Sequence, residues 1–226
     1  MTNPRSLSVE VFRDRDFPDA SVECAEAGIS NVERVIRGIQ IVRANRLIAV
    51  PSVDGGYVDM RHIRWPQFPA DLNVVITEKP LLSSGEDLSR DNNWLRVAGL
   101  SLNEGLAGSV RVAVIDVTTG LSAQTVEHET GHLLGLKRRG TTHDGRGHCT
   151  VKNCTMHFKD EPYRVISKQP LGRTGILRRM QYEERRSEPK SSAEKFCDEC
   201  AHQLAVNAFM LTKAKSGEYV PPELLA

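Results

Sequence analysis

The sequence predicts an α+β fold of α/β-like character, with a mixed sheet, a central helix and a C-terminal helical subdomain. Three observations lead there. β-branched apolar runs punctuate the first half of the chain, a helical segment follows the most apolar of them, and a final helical segment surrounds a CxxC pair. With 226 residues and 39% hydrophobic content the chain can bury a substantial core. One compact domain over residues 1–226 is expected, its N-terminal part running to 136 and its C-terminal part from 137.

Residues 8–13 (SVEVFR) alternate as an opening strand, followed by the polar turn RDRDFPD. Residues 31–46 (NVERVIRGIQIVRANR) place Val32, Val35, Ile36, Ile39 and Val42 at helical spacing, which predicts an amphipathic helix packed on a sheet. Residues 47–53 read as a short strand and 71–77 (DLNVVIT) as a stronger one. Between them, Gly55-Gly56, Trp65-Pro66 and Phe68-Pro69 mark a loop. Residues 93–102 precede a glycine-containing turn and the buried strand 110–117, so the two are expected to pair antiparallel, the first at an edge. A helix then follows, with Ser122 as N-cap, Val126, Leu133, Leu134 and Leu136 as apolar surface, and Gly135 as a left-handed stop. Residues 164–195 hold nine Lys or Arg against four Glu and read as a solvated insertion. Residues 192–215, with Phe196, Leu204, Phe209 and Leu211, predict the last helix.

A formal charge of +1 gives no global pull toward nucleic acid or an anionic membrane. No apolar run approaches spanning length, and the opening residues lack the hydrophobic stretch of a secretory signal. A cytoplasmic monomer without membrane or nucleic-acid partners is therefore expected. The odd count of five cysteines argues against a disulfide framework and for metal binding. Cys149 and Cys154 flank four residues, and Cys197 and Cys200 form a CxxC pair, so four thiolates could close a tetrahedral structural zinc site. Cys24 is left over and reads as a small, partly buried thiol.

The most informative segment is His128-Glu129-Thr130-Gly131-His132. On a helix, residues four apart stack one turn above each other, so both imidazoles can reach one metal while Glu129 stands beside its open side. His62 and His202 read as solvated or structural, and His157 as a surface histidine. The loop after Gly135 holds further candidate ligands in His143, His148 and, as a carboxylate, Asp144.

HETGHLLGL, then His148-Cys149, four residues, Cys154, one residue, Met156, and a later CxxC at Cys197 and Cys200 together resemble the archaemetzincins. Their pattern is HExxHxxGxxH, cysteine, four residues, cysteine, one residue, methionine, and a downstream CxxC. The resemblance implies a metzincin-type twisted sheet and two zinc ions per chain, one catalytic and one structural. It further implies a Met-turn at Met156, Glu129 as general base, and peptide or protein substrates. Two departures stand out. Arg138 occupies the family's third-histidine position and stays protonated, so it is no ordinary zinc ligand. His148 immediately precedes Cys149, as the family's third histidine precedes its first cysteine, so KRRGTTHDGR reads as inserted residues and His148 as the third ligand; His143 is the alternative. The stretch from Met156 to Cys197 is also longer than the family's.

The leading expectation is thus a zinc-dependent metallopeptidase. Two other readings stay open: a zinc-stabilised module binding nucleic acid or protein through the basic region around Arg173 to Arg186, and a protease fold without turnover.

Overall fold

The computed structural model describes residues 6–17, 22–37, 39–52, 56, 58, 68, 70–83, 95–103, 111–116, 123–136, 148–151, 153–157, 163–168, 180–184 and 195–220. The opening strand β1 (Ser6–Asp14) leads through helix α1 (Glu23–Val35) into β2 (Gln40–Ile48), and β3 (Leu72–Thr77) returns to the centre of the sheet. The short strands β4 (Leu81–Ser83) and β5 (Leu95–Val97) follow, then β6 (Gly99–Asn103) and β7 (Arg111–Asp116). Helix α2 (Ala123–Leu133), strands β8 (Tyr163–Lys168) and β9 (Met180–Glu184), and helix α3 (Asp198–Lys215) complete the described elements.

Five strands form a mixed sheet in the order β2-β1-β3-β7-β6. The first four run parallel, and β6 pairs antiparallel with β7, from Gly99 opposite Ile115 to Asn103 opposite Arg111. All six residues of β3 and all six of β7 are buried, as a strand covered on both faces requires. One face meets the helices: Val9 and Val11, Val74 and Ile76, and Ala113 and Ile115 share a core with Ile29, Val32, Val126 and Leu204. The side chains of opposite parity, Phe12, Val75, Val112 and Val114, pack with Leu81 of β4 and Val97 of β5. Those two strands belong to a second sheet ordered β4-β5-β8-β9.

Three expectations change. The helix read over residues 31–46 is two elements: α1 begins earlier, at Glu23, and ends at Val35, while residues 40–48 extend as β2. The run IRGIQIV carries apolar residues at both helical and alternating spacing, and pairing with β1 from Ser6 opposite Gln40 to Asp14 opposite Ile48 decides for the strand. Val42, expected on a buried helix face, is 52% exposed on this edge. The strand read over residues 93–102 divides at Ala98, whose carbonyl accepts from Asp116 N at 2.9 Å, so β5 and β6 serve different sheets. The insertion read over residues 164–195 contributes the antiparallel pair β8 and β9.

At the carboxyl ends of β1 and β3, Asp14 is fully buried. Thr77 Oγ1 donates to it at 2.7 Å and Lys79 Nζ lies 3.1 Å away. Lys79 also reaches Asp16 at 2.7 Å and the Val50 carbonyl at 2.8 Å, so its three donors are engaged.

Candidate metal centre

Helix α2 lies against β6 and β7 and carries the paired histidines. It ends as expected at Gly135, whose φ is +78°. Gly135 N donates to the His132 carbonyl at 2.9 Å and Leu136 N to the Gly131 carbonyl at 3.1 Å, the paired bonds of a Schellman turn. Asn207 of α3 donates through Nδ2 to the Leu134 carbonyl at 2.8 Å and so closes the helix end. Ser122 lies outside the described residues.

His128, His132 and His148 come together, with one ring nitrogen of each within 4.8 Å of the others. The His128 and His132 rings meet edge to face at 4.7 Å, and His148 stacks on His128 at 5.4 Å. His128 Nδ1 lies 2.8 Å from the Thr155 carbonyl and His132 Nδ1 lies 3.2 Å from the Leu136 carbonyl. A carbonyl only accepts, so each Nδ1 carries its hydrogen, and it is the tautomer with a bare Nε2 lone pair that can bind a metal. These two Nε2 atoms stand 3.1 Å apart. Two bare lone pairs repel each other at that distance, and a cation held between them would satisfy both. Nitrogens bound at zinc's usual 2.0–2.1 Å in a tetrahedral site stand roughly 3.3 Å apart, so the pair fits such an ion. His143, Asp144 and Arg138 lie outside the described residues, as does His62.

Glu129 is 8% exposed and leans on β6. Ser101 Oγ donates to its Oε2, and a Cβ at Gly99 would fall 2.7 Å from its Cγ. Gly99 and Ser101 alternate on one face of the edge strand, the first leaving room for the carboxylate and the second binding it. Neither was singled out from the sequence; the signal was a glycine two residues before a serine on a strand expected to border the helix.

Cys149, Cys154, Cys197 and Cys200 also converge within 4.8 Å. The Cys149 and Cys197 sulfurs are 3.7 Å apart, matching the roughly 3.8 Å separating two sulfurs bound 2.3 Å from one tetrahedral zinc. Val151 N points at the Cys149 sulfur and Cys197 N at the Cys154 sulfur, each at 3.4 Å. Hydrogen bonding from Cys200, with help from backbone N–H groups, pulls the Cys154 thiol down to about 5 against its burial. Burial pushes Cys149 up to about 11, and the Cys154 sulfur pushes Cys200 upward. One thiolate beside protonated neighbours is a set of donors that a soft cation can deprotonate. Cys24 is half-buried and outside this group.

The loop between the clusters serves both. Cys149 N donates to the Met156 carbonyl at 2.8 Å, and His157, exposed only in part, turns Nδ1 to the Cys149 carbonyl at 2.8 Å. Met156 is fully buried beneath α2, where a Cβ at Gly131 would fall 2.6 Å from its sulfur. Glu127 is buried on the far side of α2 and accepts from Asn31 Nδ2 at 3.0 Å and Thr155 Oγ1 at 3.2 Å. Burial pushes its carboxyl above the usual range, and these two donors oppose that rise. His202 is exposed on α3.

No family model and no curated protein matches the sequence. Solved structures do. An archaemetzincin from Methanopyrus kandleri aligns with a TM-score of 0.54 at 15% identity, covering 92% of this chain and 98% of that one. A chain from a chaperone–substrate complex gives 0.50 at 13% identity over 94% of this chain and 35% of its own length. An archaemetzincin from Archaeoglobus fulgidus, solved with malonate, gives 0.45 at 17% identity over 87% and 99%; that score adds no weight. At these identities the likeness concerns the fold alone. Among the described residues, no helix is long and apolar enough to cross a membrane.

Proposed function

We propose that this chain is a zinc-dependent metallopeptidase of archaemetzincin type. His128, His132 and His148 would hold the catalytic ion, and Cys149, Cys154, Cys197 and Cys200 a structural one. The observation that carries the reading is the pair of facing Nε2 atoms, each ring turned by a carbonyl behind it so that a shared cation satisfies both.

Zinc, when bound, supplies Lewis acidity toward a peptide carbonyl and toward water. Glu129 is the general base: its carboxylate takes a proton from the attacking water and returns it to the leaving amine. Ser101 holds Oε2 of that carboxylate against β6. Among the described residues β6 is the last strand of its sheet, and its outer edge is where backbone groups would meet an extended peptide. Met156, packed under Gly131, forms the floor of the histidine pair and plays the part of a Met-turn methionine. The whole forms one catalytic domain, with the cysteine quartet clipping the loop after His148 to α3.

The test combines metal analysis with turnover. Wild type should bind two zinc ions and hydrolyse peptides. Glu129→Gln should keep both ions and lose about 10²- to 10⁴-fold in kcat. Cys197→Ser with Cys200→Ser should keep one ion. Zinc bound without peptide hydrolysis in wild type would overturn the peptidase reading, and wild-type turnover unchanged in Glu129→Gln would remove Glu129 from the chemistry.

A further inference from the structure

We propose that Glu127, the residue before the first histidine of the motif, is a positioning residue for His128 and acts through Thr155. The inference rests on the zinc reading above. Glu127 is 3% exposed, and both its oxygens are engaged: Oε2 by Asn31 of α1 and Oε1 by the Thr155 hydroxyl. Arg34, one turn further along α1, donates to Asn31 Oδ1 and so turns the Asn31 amide hydrogens toward the carboxylate. Thr155 is the residue whose carbonyl takes the Nδ1 hydrogen of His128 at 2.8 Å. Its backbone N–H donates to the Lys195 carbonyl at 3.1 Å. Thr155 is thus fixed at three points, one of which is the imidazole.

Both Glu127 oxygens accept, Oε2 from the Asn31 amide and Oε1 from the Thr155 hydroxyl, so that hydroxyl points at the carboxyl group instead of turning back on its own backbone. The Thr155 carbonyl accepts from His128 Nδ1, which fixes the tautomer and the ring plane that send Nε2 into the site. An amide at the same position brings two hydrogens to a place already supplied with donors by Asn31 and Thr155. A buried carboxyl group is costly unless it is hydrogen-bonded, and one of its two bonds here ties it to the residue that orients the histidine. Glu127 touches neither substrate nor ion; it aims the residue that does.

Cobalt(II) titration by chelator competition tests this, because thiolate charge-transfer bands separate ion bound at the cysteines from ion bound at the histidines. Glu127→Gln and Thr155→Val should each weaken cobalt at the histidine site by about tenfold, with the cysteine site unchanged. Thr155→Ser, which keeps the hydroxyl, should stay within about twofold of wild type. Far-UV circular dichroism on the same samples reports folding, and Thr155→Val carries the test if Glu127→Gln unfolds. Histidine-site affinity in both folded variants equal to wild type would overturn the proposal, as would equal losses in Thr155→Ser and Thr155→Val. Wild type that binds cobalt only through thiolates would overturn the zinc reading itself, a result distinct from either of these.

Discussion

Gly28 lies inside α1 where that helix crosses α2, and replacing it with alanine sets two known effects against each other. Helix propensity favours alanine over glycine in a helix interior by about 1 kcal/mol. Packing opposes it. A Cβ at position 28 would fall 2.6 Å from the Ala123 carbonyl oxygen, 2.7 Å from Val126 Cβ and 3.0 Å from Val126 Cγ1, where ordinary contact begins at 3.4 Å. None of these atoms ends a flexible side chain, so relief requires moving one helix from the other. Overpacking of this kind costs about 1–3 kcal/mol, and with so stiff a neighbour the upper part of that range applies. The net expectation for Gly28→Ala is a loss of about 1–2 kcal/mol, which for a chain of this size lowers the melting temperature by about 2–4 °C per kcal/mol. Thermal unfolding at fixed zinc concentration measures it. Val126→Ala in the same background removes the Cγ1 contact but keeps the Cβ and the Ala123 carbonyl, so it should relieve only a minor part of the overpacking, read as a coupling of about 0.5 kcal/mol. A higher melting temperature in Gly28→Ala than in wild type would show that propensity prevails and that the close helix crossing is wrong.

Three further outcomes follow from other parts of the molecule. Lys79→Met strips Asp14 of its cation in a fully buried setting and should cost about 3–5 kcal/mol in urea unfolding, with partial recovery on adding Asp14→Asn. Burial works to lower the Lys79 ammonium, but its bonds to Asp16 and Asp14 prevail and raise it above the ordinary 10.5. Because the folded value is the higher one, this stability is complete below pH 10.5 and fades only as pH climbs through the folded value. At the other end of the sheet, burial works to raise the Asp71 carboxyl, while bonds from Lys215 and Ser8 prevail and hold it below the usual 3.8. That contribution is present above pH 3.8 and is lost as pH falls through the lower folded value. Lys215→Met should therefore cost about 0.5–1 kcal/mol at pH 7 and nothing measurable at the acid end, read from unfolding curves across pH. Met156→Ala opens a void under Gly131 and should cost about 2–5 kcal/mol, seen as a lower denaturant midpoint with an unchanged m-value.

Much of this arrangement was legible in the residues. The i, i+4 histidines of α2 and the Gly135 stop follow from local rules, since helix geometry and the left-handed preference of glycine act within one or two turns. β1, β3 and β7 follow from alternation and β-branched runs. β2 was misread because its residues, apart from Ile41, are largely solvated, so no buried stripe distinguished strand from helix. α1 was missed at its start, although Ala25, Gly28, Ile29 and Val32 bury one helical face. The pattern was hidden because the small Ala25 and Gly28 carry half of it. In the centre itself, His148 was reached through its neighbour Cys149 and the family pattern, and the structure brings its ring to the pair. Glu127, Ser101 and Asn207 were not legible: their partners lie 28 to 96 residues away, and no local rule links such distant positions.

His148 and Cys149 are consecutive, and Cys154 adjoins Thr155, so the histidine triad borrows its rigidity from sulfurs whose partners, Cys197 and Cys200, come more than forty residues later. Chains emerge from the ribosome at about 5–20 residues per second, so several seconds separate synthesis of the motif helix from that of its brace. On the proposed reading, a nascent peptidase stays harmless until its last helix is made, and the same dependence would disarm a finished molecule whose thiols are oxidised.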